Sequence, residues 1–465
     1  MVFSEPVFLF MFLPVALLLY YAVPFRFKNA VLFLTGLLFY AWGEPVYVLI
    51  MILSTFIDYC AGRVMDKYDS NKSIRKVALI VSVVMNLSLL GVFKCSGFFV
   101  ESINSVFGNV MNNPNLPLPI GISFFTFQSM SYTIDLYRRN IKVQKNFINF
   151  AAFVTMFPQI VAGPIVLYDD VARELENRKI DIDSISNGIS VFICGLCKKV
   201  LIANSVGELW TTVKASDYST LPAATAWLGI IAFTLQIYFD FSGYSDMAIG
   251  MGKMLGFNFP KNFDYPYISK TVSEFWRRWH MTLGGWFKSY VYFPLGGSRN
   301  GKFRTIRNLL IVWFLTGMWH GASWNFIIWG VYYGIILILE KFVFAKVIDK
   351  LPAAVTRTYT LLMVVIGWVI FEISSPAAEL EFIGSMFGAS GAFFDISTLN
   401  MLHNYAVIII VAAVVASGIP MKICKKFFAN NKLGAVQIAG EAVGMATCIA
   451  YLVDASYNPF LYFNF

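Results

Sequence analysis

The chain alternates long apolar runs with short polar loops. A helix needs about 20 predominantly apolar residues to cross the hydrocarbon layer. Val7 to Phe25, Asn29 to Trp42, Val46 to Ala61, Val77 to Val100 and Ile120 to Leu136 read as spans. Further along, Ala223 to Phe241, Asn308 to Trp319, Trp324 to Glu340, Thr358 to Phe371, Tyr405 to Ile419 and Gly434 to Val453 read the same way. Asn187 to Val206 is apolar but carries Lys198 and Lys199, which leaves its placement open. The pattern predicts an all-α polytopic membrane protein of about 11–12 transmembrane helices.

One run breaks the pattern. Phe147 to Val166 contains FPQIVAGPI, with Pro158, Gly163 and Pro164 close together. Proline in a helix interior costs about 3 kcal/mol. Broken backbone at membrane depth survives only where protein buries it or where it lines a cavity. The run therefore predicts a re-entrant hairpin.

The loops carry a charge bias. Arg63 to Lys76, Arg138 to Lys145, Arg173 to Lys179 and Gly252 to Arg307 are rich in Lys and Arg, whereas Glu101 to Pro119 and Glu372 to Asn404 hold neither. Basic loops stay on the cytosolic side. This puts the N-terminus outside and leaves the side of the C-terminus open. Met1 to Phe10 has Glu5 but no Lys or Arg, so it reads as the start of a retained first span rather than a cleavable signal.

Composition agrees with the pattern. The 465 residues are 58% hydrophobic and 14% charged, against about 25% charged in soluble domains. No polar stretch is long enough for a separate domain, so residues 1–465 read as one membrane-embedded unit. The net charge of +9 lies in short loops, where it suits anionic lipid headgroups rather than nucleic acid. The six cysteines are scattered, and Cys194 and Cys197 sit inside an apolar run, where they read as core packing. No Walker loop, G-x-S-x-G elbow or H-E-x-x-H occurs.

Three stretches could carry chemistry. Ile311 to Gly330 is almost wholly apolar and contains His320, one of three histidines. An ionisable group at membrane depth is costly and points to function. A neutral imidazole can take a proton from a hydroxyl. The small residues Gly317, Gly321, Ala322 and Ser323 would let a second backbone or a ligand come close.

Ser273 to Arg299 interleaves aromatics with bases. Helical spacing places Trp276, Trp279, His280 and Leu283 on neighbouring turns and pairs Glu274 with Arg278. The plain reading is an interfacial anchor. His280 favours a rim where Arg277, Arg278, Lys288 and Arg299 hold phosphates. The third stretch holds Asp240, Ser242, Tyr244 and Asp246 at the end of a span. Its carboxylates need partners, and pairing with Arg or backbone N–H groups fits better than a metal. His403 lies in the outer segment and reads as a surface residue.

Together these stretches resemble the membrane-bound O-acyltransferase (MBOAT) family. The resemblance rests on PIGISFFTFQSMSYTIDLYR, FPQIVAGPI, DFSGYSDMAIG, FWRRWHMTLGGWF and GMWHGASWNFIIWG, in that order along the chain. YFPLGGSR and the closing NPFLYFNF are similar to the bacterial branch that O-acetylates alginate, peptidoglycan and cellulose. The resemblance implies tilted spans and re-entrant helices around a thin central tunnel, in a bacterial cytoplasmic membrane. It implies His320 as the main catalytic residue, with His280 also important.

The implied donor is cytosolic acetyl-CoA, with Arg277, Arg278, Trp279, Lys288 and Arg299 as candidate binding residues and no metal. The implied acceptor is an extracytoplasmic hydroxyl, on a polysaccharide or on a secreted SGNH-type partner. Trp319, Asp240, Ser242, Tyr244 and Gln159 are candidates for the tunnel wall. Two alternatives stand beside this. One is teichoic-acid D-alanyl transfer from a carrier-protein thioester, whose enzymes share RWHMTL and WHG. The other is a transporter or scaffold with His320 as a proton relay, although no half-to-half symmetry is visible.

Overall fold

A computed structural model of the chain describes residues 1–161, 163–428, 434–454, 457–459 and 461. Ala162 within FPQIVAGPI, and most of the closing NPFLYFNF, lie outside the described residues. The described residues are helical, without strands. They form two compact units: Met1–Phe192 with Tyr244–Pro260, and Ile193–Gly243 with Lys261–Phe465.

The first unit begins with α1 (Phe8–Ala22), α2 (Phe25–Gly43), α3 (Val48–Lys67), α4 (Lys72–Phe107) and α5 (Ile122–Tyr137). Helices α3, α4 and α5 pack on one another. Asp58 on α3 is fully buried there, and its carboxylate accepts from Ser82 Oγ at 2.5 Å and Asn86 Nδ2 at 2.9 Å, both on α4. Buried polar groups need such partners, because an unpaired one keeps its whole desolvation cost.

The chain then forms α6 (Phe147–Thr155) and α7 (Tyr168–Glu176). Asn146 caps α6, accepting from Ile148 N at 2.9 Å. From Phe150 onward α6 is buried, and it gives way to non-helical backbone at Met156, two residues before Pro158. The helix thus ends just before the proline-rich FPQIVAGPI stretch.

Two helices run from one unit into the other: α8 (Ile182–Lys214) and α9 (Ala223–Met254). The DFSGYSDMAIG stretch is therefore helical, inside α9, rather than the end of a span. The second unit continues with α10 (Val272–Arg278), α11 (Met281–Phe287), α12 (Lys302–His320), α13 (Trp324–Ile348) and α14 (Ala353–Glu372). It closes with α15 (Pro376–Met386), α16 (Ile396–Ala416), α17 (Ile419–Phe428) and α18 (Gly434–Asp454).

Among the described residues, eight helices are long and apolar enough to cross a membrane: α3, α4, α8, α9, α13, α14, α16 and α18. The apolar α1 is shorter. α2 and α12 have 19 residues each and carry basic side chains in their first turns. The architecture is that of a polytopic, all-helical membrane protein.

Helices α12 and α13 form a tight hairpin. A Cβ on Gly317 would lie 2.3 Å from the Phe326 carbonyl oxygen, and one on Gly330 would lie 2.3 Å from that of Trp313. The close approach expected at Gly317 is thus backbone against backbone. A second fixed point is the ion pair between Lys199 on α8 and Asp240 on α9, 2.7 Å apart and both buried. Each charge sits in an apolar helix and neutralises the other.

Candidate active site

The two interior histidines stand on two turns of the second unit. His280 sits between α10 and α11, on an elbow. The expectation of one helix through Trp276, Trp279, His280 and Leu283 does not hold. Trp279 is extended, and His280 has φ +43° and ψ +53°. That left-handed conformation is rare and strained for a residue with a Cβ.

Hydrogen bonds from a distant segment hold the elbow. Asn262 Oδ1 lies 3.1 Å from His280 Nδ1 and accepts from Thr282 Oγ1 at 2.9 Å. The Asn262 carbonyl accepts from Met281 N at 2.9 Å, and Asp264 N donates to Arg278 O at 2.9 Å. These bonds replace the helical ones that the break removes. At the start of α10, the buried Glu340 carboxylate accepts from Val272 N at 2.6 Å and from Ser273 N at 2.8 Å. A negative charge there meets the unsatisfied N–H groups of a helix start. Burial pushes the His280 imidazole, which lies outside the eight candidate spans, down to about 3, so the ring is neutral.

His320 is the last residue of α12, 6% exposed, where the chain turns through residues 321–323 into α13. Aromatic rings surround it: Trp329 edge-on at 5.1 Å, Phe371 edge-on at 5.2 Å and Trp319 at 4.9 Å between centroids. Asn325 Nδ2 donates to Phe371 O at 2.9 Å and pins the turn to α14. Trp319 also stands 5.8 Å from His280, so one indole touches both imidazoles.

Both histidines line one cavity of about 480 Å³ in the second unit, within the range of roughly 300–1,000 Å³ usual for ligand sites. Arg277, Trp279, Lys288 and Thr316 line it with them, over a mainly apolar wall.

Other predicted site residues lie elsewhere. Arg278 is absent from the cavity wall, and its guanidinium is bonded to Glu274 at 3.0 Å and Asp264 at 3.3 Å. Arg299 is exposed on a turn beyond the cavity, where Asn308 Nδ2 donates to Gly297 O at 2.9 Å. Asp240 and Ser242 do not line the cavity either, and Asp240 is held by Lys199 and by Leu461 N at 3.0 Å. Tyr244 and Gln159 belong to the first unit, where Tyr244 stacks on Phe3 at 4.1 Å and Gln159 Nε2 donates to Phe153 O. His403 is exposed on α16.

Asn262 and Glu340 escaped the sequence reading. Glu340 had a signal, being a carboxylate among apolar residues. Asn262 had none beyond lying in a polar loop.

Fold and cavity define a multi-pass helical membrane protein with two imidazoles lining one cavity. The profile of MBOAT, the membrane-bound O-acyltransferase family, matches residues 37–376, and the chain belongs to that family. It is an O-acyltransferase. It is 42% identical to a probable alginate O-acetylase of Pseudomonas syringae pv. tomato, over 86% of this chain and 77% of that protein. It is 29% identical to a peptidoglycan O-acetyltransferase of Helicobacter pylori, over 100% of this chain and 98% of that one. A teichoic acid D-alanyltransferase of Streptococcus thermophilus is 30% identical, but over only 48% of this chain and 56% of its own.

Proposed function

We propose that this protein moves an acetyl group from acetyl-CoA, arriving from the cytosolic face, to a hydroxyl beyond the membrane. The acceptor is a cell-surface polysaccharide or an SGNH-type partner that passes the group on, and the membrane is a bacterial cytoplasmic membrane. The observation that carries the reading is the single cavity shared by His280, His320, Arg277 and Lys288.

In this reading Arg277 and Lys288 hold donor phosphates. His320 takes the proton from the acceptor hydroxyl while its oxygen attacks the thioester carbonyl. The C–S bond then breaks, and the proton passes to the departing thiolate, giving free coenzyme A and an ester. His280, neutral and oriented by Asn262, sits at the donor end beside Arg277. General-base action of this kind contributes about 10²–10⁴-fold.

Longer coverage by O-acetyltransferases than by the D-alanyltransferase favours acetyl over D-alanyl transfer. The test is transfer by purified wild type and His320→Ala, supplied with labelled acetyl-CoA or with a D-alanyl carrier protein. We expect acetyl transfer by the wild type and its loss by at least about 100-fold in a folded variant. A loss below about tenfold removes the base role. Transfer from the carrier protein alone removes the acetyl reading, and no transfer from either favours a transporter or scaffold.

A further inference from the structure

The first unit has a cavity of its own, of about 410 Å³, where the C-terminal ends of α3 and α5 meet the segment 139–145. Four cations line it, Arg75, Arg139, Lys142 and Lys145, against two carboxylates, Asp66 and Asp69. Asp69 is already engaged, accepting from Arg75 and from Arg139 at 3.2 Å.

The wall is built rather than loose. Arg75 is 5% exposed, and its other terminal nitrogen donates to Leu136 O at 3.0 Å and Tyr137 O at 2.9 Å. Arg139 is held at φ +63°, a conformation that residues with a Cβ rarely adopt. The backbone of Lys145 is fixed too, since its carbonyl accepts from Tyr59 Oη at 2.7 Å and Arg63 Nη1 at 3.1 Å. Lys142 and Lys145 are exposed, and among the described residues neither ammonium has a carboxylate within 4.0 Å. Met65, Leu136, Ile141 and Val143 supply an apolar remainder.

α3 is an apolar candidate span that ends here in a basic loop. That junction is the level of lipid headgroups, on the face where anionic lipids attract Lys and Arg. A soluble anion would need only the charges. A glycerophospholipid uses both the ammonium groups and the apolar wall.

We propose that this cavity seats the phosphodiester of an anionic glycerophospholipid, with Lys142 and Lys145 as its donors. The site is independent of the acyl-transfer chemistry. Inorganic phosphate and the phosphates of coenzyme A share the same chemistry, so the test separates them from lipid.

The full chain in detergent is titrated with phosphatidylglycerol or phosphatidylcholine and read by native mass spectrometry. Compared are wild type, Lys142→Gln/Lys145→Gln, and the control Lys346→Gln/Lys350→Gln, which alters the same charge at exposed sites on α13 and just beyond it. Lys142→Glu alone serves if the double variant does not fold. We expect phosphatidylglycerol affinity to fall about 10- to 30-fold in the cavity variant and to hold in the control. Phosphatidylcholine should bind weakly throughout, and neither inorganic phosphate nor coenzyme A should displace phosphatidylglycerol. Equal losses in both double variants, unchanged affinity in the cavity variant, or displacement by a soluble phosphate each overturn the proposal.

Discussion

The two turns that bring histidines into the chamber are built in opposite ways. His320 is held by shape: glycines let α12 and α13 touch through backbone, and aromatic rings close around the imidazole. His280 is held by hydrogen bonds: a carboxamide from the loop before α10 fixes the strained elbow, and a carboxylate from α13 fixes the start of α10. In the apolar turn, close packing places the ring, and the bond from Asn325 to the Phe371 carbonyl ties the turn to α14. In the polar elbow, geometry depends on a few acceptors, and each is a single point of failure. The two sites should therefore fail differently when disturbed.

The largest effect should come from crowding the shape-held turn. Gly317→Val places carbon where the Phe326 carbonyl stands, and overpacking of this kind costs about 1–3 kcal/mol, at times more. Thermal unfolding in detergent and acetyl transfer should decline together. A variant with unchanged stability would show that the hairpin has slack.

Next is the hydrogen-bonded elbow. Asn262→Leu removes the acceptor that meets His280 Nδ1 and Thr282 Oγ1. We expect kcat to fall by about 10- to 100-fold, in line with the loss of an orienting partner, and KM to change less. Asn262→Asp keeps the acceptor oxygen and should recover much of the rate. Equal damage from both variants would reduce Asn262 to a structural role.

The smallest effects separate the bases. Arg277→Gln and Lys288→Gln, at the cavity wall, should raise the KM for acetyl-CoA about tenfold each, the scale of one lost charge-assisted hydrogen bond. Arg299→Gln, on its exposed turn, should stay within about twofold. A reversed order would mean that the donor approaches by way of the PLGGSR turn.

Much of this was legible in the residues. The apolar runs announce the helices, and an ionisable ring in such a run announces His320. The prolines announce the break after α6. Local pattern also explains the pairing of Glu274 with Arg278, four residues apart. What stayed hidden depends on partners far along the chain. The break at His280 is stabilised by Asn262, 18 positions away, and the start of α10 by Glu340, 68 positions away. Neither leaves a periodic trace. The pairing of Lys199 with Asp240 had a trace: two opposite charges in apolar helices that must each find a partner. The roles predicted for Arg278 and Arg299 rested on charge near His280. Charge alone does not reveal that Arg278 is committed to Glu274 and Asp264, or that Arg299 is exposed on a turn outside the cavity wall.

The claim that both imidazoles share the chamber where the thioester binds can be examined by photolabelling. A photoreactive acyl-CoA is bound to the purified full chain, irradiated, and its sites of attachment are mapped by peptide mass spectrometry. The account predicts labels within Ser273–Tyr292 and Leu309–His320, both lost when excess coenzyme A is present. Labels confined to other segments, or attachment that coenzyme A does not prevent, would contradict it.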